Sequence, residues 1–275
     1  MSAAAFSPMT RTRSLQGAKT CQQLQLKSGA FMANHVLLNS VEHSDLKIIT
    51  TRSEKYGDNL WFSPTFVDEI RSVQAHYPIV FHKDQNSGQF TPVALFGFEQ
   101  QENLFLESSK WCATYIPLSV QRMPFFIGRQ DVTTDGGTEQ QRVITLDIDS
   151  PRVSKTQGIE LFLEYGGNSQ YLEDIAAILE TLHHGLQGND NFVNALTSLN
   201  LLEPMTLDIT LDNGANHQLV GFYTINEDAL NSLSSDNIVQ LHKAGYLQAA
   251  YLILASQVHF NDLVALKNKR VAQEE

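Results

Sequence analysis

The sequence predicts an α+β fold, a mixed or antiparallel sheet built from two hairpin-containing halves with helices packed on it. Three observations carry that expectation. Two pairs of apolar runs, "PIVFHKDQNSGQFTPVALF" and "MTLDITLDNGANHQLVGFYTI", each flank a polar turn, the second tipped by Asp212, Asn213 and Gly214. Between them Leu172, Ile175, Ala176, Leu179, Leu182 and Leu186 recur at helical spacing. After Gly245, "YLQAAYLILASQVHFNDLVALKN" reads as helix again.

Taken in order, "HSDLKIITT" is a strand candidate. "SPTFVDEIRSVQAHYP" reads as a short helix with Ser63 as N-cap, Pro64 at its first position, Val67 and Ile70 on one face and Pro78 as its stop. The first hairpin follows, then a third apolar patch at "LFLE". "VTTDGGTEQQ", around Gly136 and Gly137, reads as a solvated loop before the strand "RVITLDID". Glu173 and Asp174 stand in the first turn of the next helix, where the helix dipole favours acids. A separate helical stretch is expected at "NFVNALTSLNLL". The Gly-Phe pairs in "ALFGFEQQENL" and "QLVGFYTINEDAL" fit a duplicated half-domain and equally two unrelated half-buried hairpins.

Composition bounds the function. At 275 residues, 42% hydrophobic and 18% charged, the chain can bury a full core. A net charge of -11 argues against a nucleic-acid partner, since phosphate binding needs a basic face and the Lys/Arg cluster available is the short "KNKR" near the C-terminus. Cys21 and Cys112 indicate neither a disulfide framework nor a zinc site. "AAYLILA" at 249–255, the longest apolar run, is far shorter than the roughly 18 residues of a membrane span and reads as a core helix segment. Residues 1–31 carry Arg11, Arg13, Lys19 and Lys27 and no acid, opposite in sign to the remainder. They are expected to form a disordered N-terminal extension, with a transit peptide and translation from an upstream start as alternatives, and residues 32–275 a single α+β domain.

The ordered set "HYPIVF" (76–81), "GQFTPVALFGFEQQENLF" (88–105), Trp111 with "YIPLSVQRMPF" (115–125), "ELFLEYGGNSQYL" (160–172), "NLLEP" (200–204) and "LVGFYTINEDALNSL" (219–233) resembles the SapC family of bacterial proteins over nearly all of 36–266. The peptide-transport permease of the same name is a different protein. The resemblance implies an association with surface layers or nutrient-uptake systems and supplies no reaction.

Candidate site residues are few. Trp111, Tyr115, Arg122 and Phe125 belong to the family pattern, and an arginine among aromatic rings can stack while gripping a carboxylate. The same loop, stiffened by Pro117 and Pro124, can instead anchor itself on the sheet with Arg122 bonded internally, and this is the expectation adopted. His82 and Asp84 have the H-x-D spacing of a two-His-one-carboxylate iron site, with His217 as a distal ligand. Against this, Lys83 and Asp84 open a polar turn, and no metal or cofactor is expected. His183 and His184, near the end of the helix beginning around 170, read as a solvated cap whose adjacent side chains diverge too far to chelate one ion. Gly166 and Gly167 lack phosphate-loop spacing, and Asp147 and Asp149 alternate on a strand as its wet face. Two classes of function follow. The favoured one is a non-catalytic binding or assembly protein in the cytoplasm, surface association being possible by resemblance. The other is an enzyme acting on a small carboxylate or peptide.

Overall fold

The computed structural model describes residues 34–134 and 137–274. The expected extension, 1–31, lies outside them. The elements in chain order are β1 (His35–Leu37), β2 (Lys47–Ile48), β3 (Phe62–Pro64), α1 (Ile70–Val73), β4 (Ile79–Lys83), β5 (Phe90–Leu95), β6 (Leu106–Glu107), β7 (Lys110–Trp111), α2 (Leu118–Gln121), β8 (Phe125–Thr134), β9 (Gly137–Asp147), β10 (Val153–Ser154), β11 (Ile159–Glu160), α3 (Gln170–Ser198), β12 (Leu202–Thr210), β13 (Asn216–Ile225), α4 (Glu227–Asn231), α5 (Ser235–Lys243), α6 (Tyr246–Ser256) and α7 (His259–Glu274).

Both predicted hairpins lie in one antiparallel five-stranded sheet ordered β12-β13-β4-β5-β3. Its inner strands carry consecutive apolar residues because both faces are covered: Ile79, Val80 and Phe81 in β4 and Val93, Ala94 and Leu95 in β5 are all buried. The outer β12–β13 hairpin instead alternates wet and buried positions. Gly214 at its tip has φ +83°, the left-handed conformation such a turn requires. A buried hydroxyl ties helix to sheet, Ser256 Oγ on α6 accepting the Ile79 amide at 2.9 Å. A second core forms under the β1-β9-β8 and β10-β2-β11 sheets.

The 29-residue α3 joins the two cores. Leu172, Ile175 and Leu179 pack in the second core, and Phe192, Val193 and Leu196 in the first, along a helix about 43 Å long. Ser169 caps its start, accepting the Leu172 amide at 3.3 Å.

Several local expectations are corrected. Ser63 and Pro64 are not a helix start: they end β3, paired with Ala94 and Val93, and the helix is the single turn Ile70–Val73 preceded by Glu69. Proline is tolerated there because β3 is an edge strand. The polar "VTTDGGTEQQ" is largely strand, since β8 and β9 pair from Phe125↔Leu146 to Thr134↔Gly137, and a hairpin ladder needs backbone bonds rather than apolar alternation. Of "HSDLKIITT" only Lys47–Ile48 is strand. The two central helical stretches are one helix, so His183 and His184 sit inside α3 and cap nothing. His184 Nε2 instead meets Glu180 Oε1 at 2.9 Å. Asp147 ends β9 and accepts the Asn34 amide, whereas Asp149 lies in the turn beyond. The two Gly-Phe pairs are not equivalent: Gly221 lies inside β13 with φ +87°, whereas Gly97 follows β5.

Among the described residues, one helical stretch, Tyr246–Gln273, has the length and apolar composition of a membrane span, with 33% of its most apolar window buried. It is broken between α6 and α7, and buries Ala249, Ala250, Ile253 and Leu263 in the first core. Its "KNKR" cations bind the loop after β5 and the strand β6: Lys267 meets Glu102 at 2.6 Å, Lys269 meets Glu107 at 2.8 Å, and Arg270 donates to the carbonyls of Asn103 and Leu106.

Gly185 shows how tightly α3 crosses the sheet. A Cβ there would lie 2.2 Å from the buried ring of Phe66. Alanine favours a helix by about 1 kcal/mol over glycine, but overpacking costs about 1–3 kcal/mol. Gly185→Ala is therefore expected to lower the melting temperature, and a rise in a thermal melt would contradict this packing.

Candidate functional site

The aromatic–arginine loop divides between the two cores. On the first, Trp111 Nε1 donates to Tyr77 Oη at 2.7 Å, and Tyr77 Oη donates to the Tyr115 carbonyl. The Trp111 ring stands edge-on to Phe96 and stacks with Phe105. Tyr115 Oη donates to Glu69 Oε1 at 2.8 Å, the Leu118 amide donates to the same oxygen at 2.7 Å, and Thr65 Oγ1 donates to Oε2 at 2.8 Å. Glu69 is thus the buried acceptor on which the start of α2 is hung. Burial pushes its carboxyl above the usual range against the opposing pull of these bonds. Burial likewise raises the Tyr77 and Tyr115 phenols.

On the other side, Arg122 ends α2 and Phe125 is fully buried in the second core. Arg122 Nη1 donates to the Phe125 carbonyl at 2.8 Å, and the guanidinium lies 4.3 Å from the centre of the Phe126 ring. Burial lowers its pKa to about 10. Trp111 and Tyr115 therefore serve one core, Arg122 and Phe125 the other, and the loop bonds inward at both ends.

The arginines that line a cleft are two others. A cavity of about 220 Å³ opens between the Ile49–Arg52 segment, α2 and the first turns of α3, with Arg52, Arg152, Gln121, Met123 and Tyr171 in its wall. Arg152 is 2% exposed. Its Nη2 meets Asp58 Oδ2 at 2.5 Å, and its Nη1 donates to the carbonyls of Ile49 and Thr51. Arg52 Nη1 donates to Asp58 Oδ1 at 3.2 Å and to the Val120 carbonyl at 3.3 Å. Sequence reasoning missed this triad because Asp58 and Arg152 are 94 residues apart and nothing local marks either.

The iron-site residues are engaged separately. His82 lies half-buried between the rings of Phe62 and Phe222, and burial lowers its pKa. Asp84 Oδ1 accepts the amides of Asn86 and Ser87 and the Ser87 hydroxyl, forming the turn. His217 Nδ1 meets Glu99 at 2.8 Å. Among the described residues no group of three or more His, Cys, Asp or Glu side chains is placed to hold a metal ion.

Two outcomes test the loop. Because the folded state holds the Glu69 proton to higher pH than the unfolded chain, this group favours folding most below the ordinary carboxylate range, and that contribution is lost as pH rises toward its raised pKa. Glu69→Gln keeps an acceptor for Leu118 and Tyr115 and should fold while removing this component from a pH series of thermal melts. Glu69→Ala should lose about 3 kcal/mol by leaving buried donors unpaired; equal pH profiles for wild type and Glu69→Gln would contradict the assignment. Arg122→Ala is expected to lose about 2 kcal/mol in denaturant melts, with no rescue by lysine, which cannot both stack on Phe126 and donate in the guanidinium's plane.

Neither the curated proteins nor the solved structures include a match to this chain. The SapC family matches it over residues 38–263, from just after β1 into α7. The protein belongs to the SapC family.

Proposed function

We propose that this SapC-family protein is a non-catalytic binding or assembly protein that docks a protein partner, in the surface-layer or nutrient-uptake setting that the family resemblance suggests. The observation that carries this reading is a set of exposed apolar residues on α5, α6 and the turn before α7. Tyr251 is exposed on α6, whose Leu247 and Leu254 pack partly buried against the first core, and Val258 stands in the turn that follows. Tyr251 is 48% exposed and Val258 60%, while Ile238 and Val239 on α5 are 37% and 47% exposed. Exposed apolar surface of this kind marks interaction sites more often than scattered single residues do.

A second cleft of about 210 Å³ opens between α3, α5 and the start of α6, lined by Ala195, Leu199, Leu241, Ala244 and Tyr246 with Ser198 and Gln240. Such a cleft suits one anchoring side chain of a partner helix, the arrangement that concentrates binding energy in few residues. The site residues proposed from the sequence, Trp111, Tyr115, Arg122 and Phe125, act in this reading as the anchor of their loop. A cytoplasmic location goes with it, because the exposed thiol of Cys112 suits a reducing compartment. The acidic charge disfavours nucleic acid as the partner.

Tagged protein recovered from its native cells should retain a partner in fixed proportion. The double variant Tyr251→Asp and Val258→Asp should lose that partner while melting within about a degree of wild type, since both side chains face solvent. Retention of the same partner by the double variant would contradict the assignment of these residues.

A further inference from the structure

The wall of the 220 Å³ cleft presents donors with no acceptor of their own. Within the Arg52 guanidinium only Nη1 is bonded, to Asp58 and to the Val120 carbonyl, and Nε and Nη2 have no partner among the described residues. The Arg52 side chain is 15% exposed, and those nitrogens keep contact with solvent in the cleft. Tyr171 lines the same cleft and its Oη has no hydrogen-bond partner among the described residues; burial raises its pKa against the opposing pull of Arg52 and Arg152. Arg52 and Arg152 share the single buried carboxylate of Asp58, and the exposed Asp174 also stands in the wall. A carboxylate entering the cleft can accept charge-assisted hydrogen bonds from the free Arg52 donors.

The remaining wall selects the anion. Ile175, Ile178 and Met123 provide an apolar side. Asp174, exposed at the rim and hydrogen-bonded to Gln170 Nε2 at 2.9 Å, opposes a second negative charge. The volume is below the about 300–1,000 Å³ of sites for drug-sized ligands. We propose that this cleft binds a small monocarboxylate with a short apolar tail, its oxygens meeting Arg52 and Tyr171 and its tail lying on Ile175 and Ile178. This site is separate from the exposed apolar residues of α5 and α6 and does not depend on them.

The test is a titration of the full chain with acetate, butyrate, hexanoate and inorganic phosphate, followed by methyl NMR of Ile175 and Ile178. Saturable shifts of both residues are expected, with affinity rising about fourfold for each added methylene, as burial of each tail carbon requires. Phosphate should bind more weakly than butyrate, because a second negative charge faces Asp174. Tyr171→Phe keeps the ring that packs against Phe125 and removes the unpartnered hydroxyl, so it should weaken butyrate binding about three- to tenfold at an unchanged melting temperature. Arg52→Gln should abolish binding; where its loss from Asp58 prevents folding, Tyr171→Phe decides alone. Absence of saturable shifts, equal affinity across chain lengths, tighter binding of phosphate, or wild-type butyrate affinity in Tyr171→Phe would each overturn the proposal.

Discussion

The buried carboxylate of Asp58 is the contact on which the arrangement of the two cores depends. Its two oxygens accept Arg52, Arg152 and the Ser53 amide, and its own carbonyl accepts Asn103 Nδ2 at 2.7 Å. Arg152 reaches it from the strand end that pairs with β2, in the second core. Asn103 belongs to the first: its side chain accepts the Phe105 amide, and its carbonyl accepts Arg270 of α7. One residue thereby connects the small sheets, the long loop after β5 and the C-terminal helix. Removing one partner from such a buried pair costs about 3–5 kcal/mol, because the charge left behind has no solvent to replace it.

Glu69 repeats this logic one helix away, and α2 is where the two polar centres meet. The Leu118 amide at its start is held by Glu69, and the Val120 carbonyl two residues on is held by Arg52. The four residues of α2 are too few to be stable alone, so their conformation is imposed from both ends. Between them the Ser119 hydroxyl bonds the Pro64 carbonyl and Ser63. The loop from Trp111 to Phe125 thus splices the two cores. Arg52 and Tyr171, beside that splice, line the adjoining cleft.

What the sequence disclosed follows from range. The two hairpins, a strand within "RVITLDID" and the central helix are written in local periodicity and turn residues, and the structure contains them, the strand stopping at Asp147. The hydrophobic spacing of Leu172 to Leu186 announced α3, but a continuous helix to Ser198 depends on Phe192, Val193 and Leu196 finding the first core, which local pattern does not encode. Ser63 and Pro64 carried a capping signal that was overridden by strand pairing with Ala94 and Val93. The outer part of the β8–β9 hairpin gave no apolar signal because its residues 129–131 and 139–142 are exposed. Of the site, the aromatic loop was visible as composition. Glu69 and Asp58 were not, since each is defined by partners distant in sequence: Leu118 for one, Arg152 for the other.

Asp58, on this reading of its contacts, makes the two cores one cooperative unit. The direct measurement is thermal unfolding of Asp58→Ala followed by two reporters: fluorescence of Trp61 and Trp111, both packed on the first core, and methyl NMR of Ile175 in the second. In the wild type the two signals should change together. In Asp58→Ala the Ile175 signal should be lost well below the temperature at which the tryptophans respond. Coincident transitions at the wild-type temperature would contradict the claim.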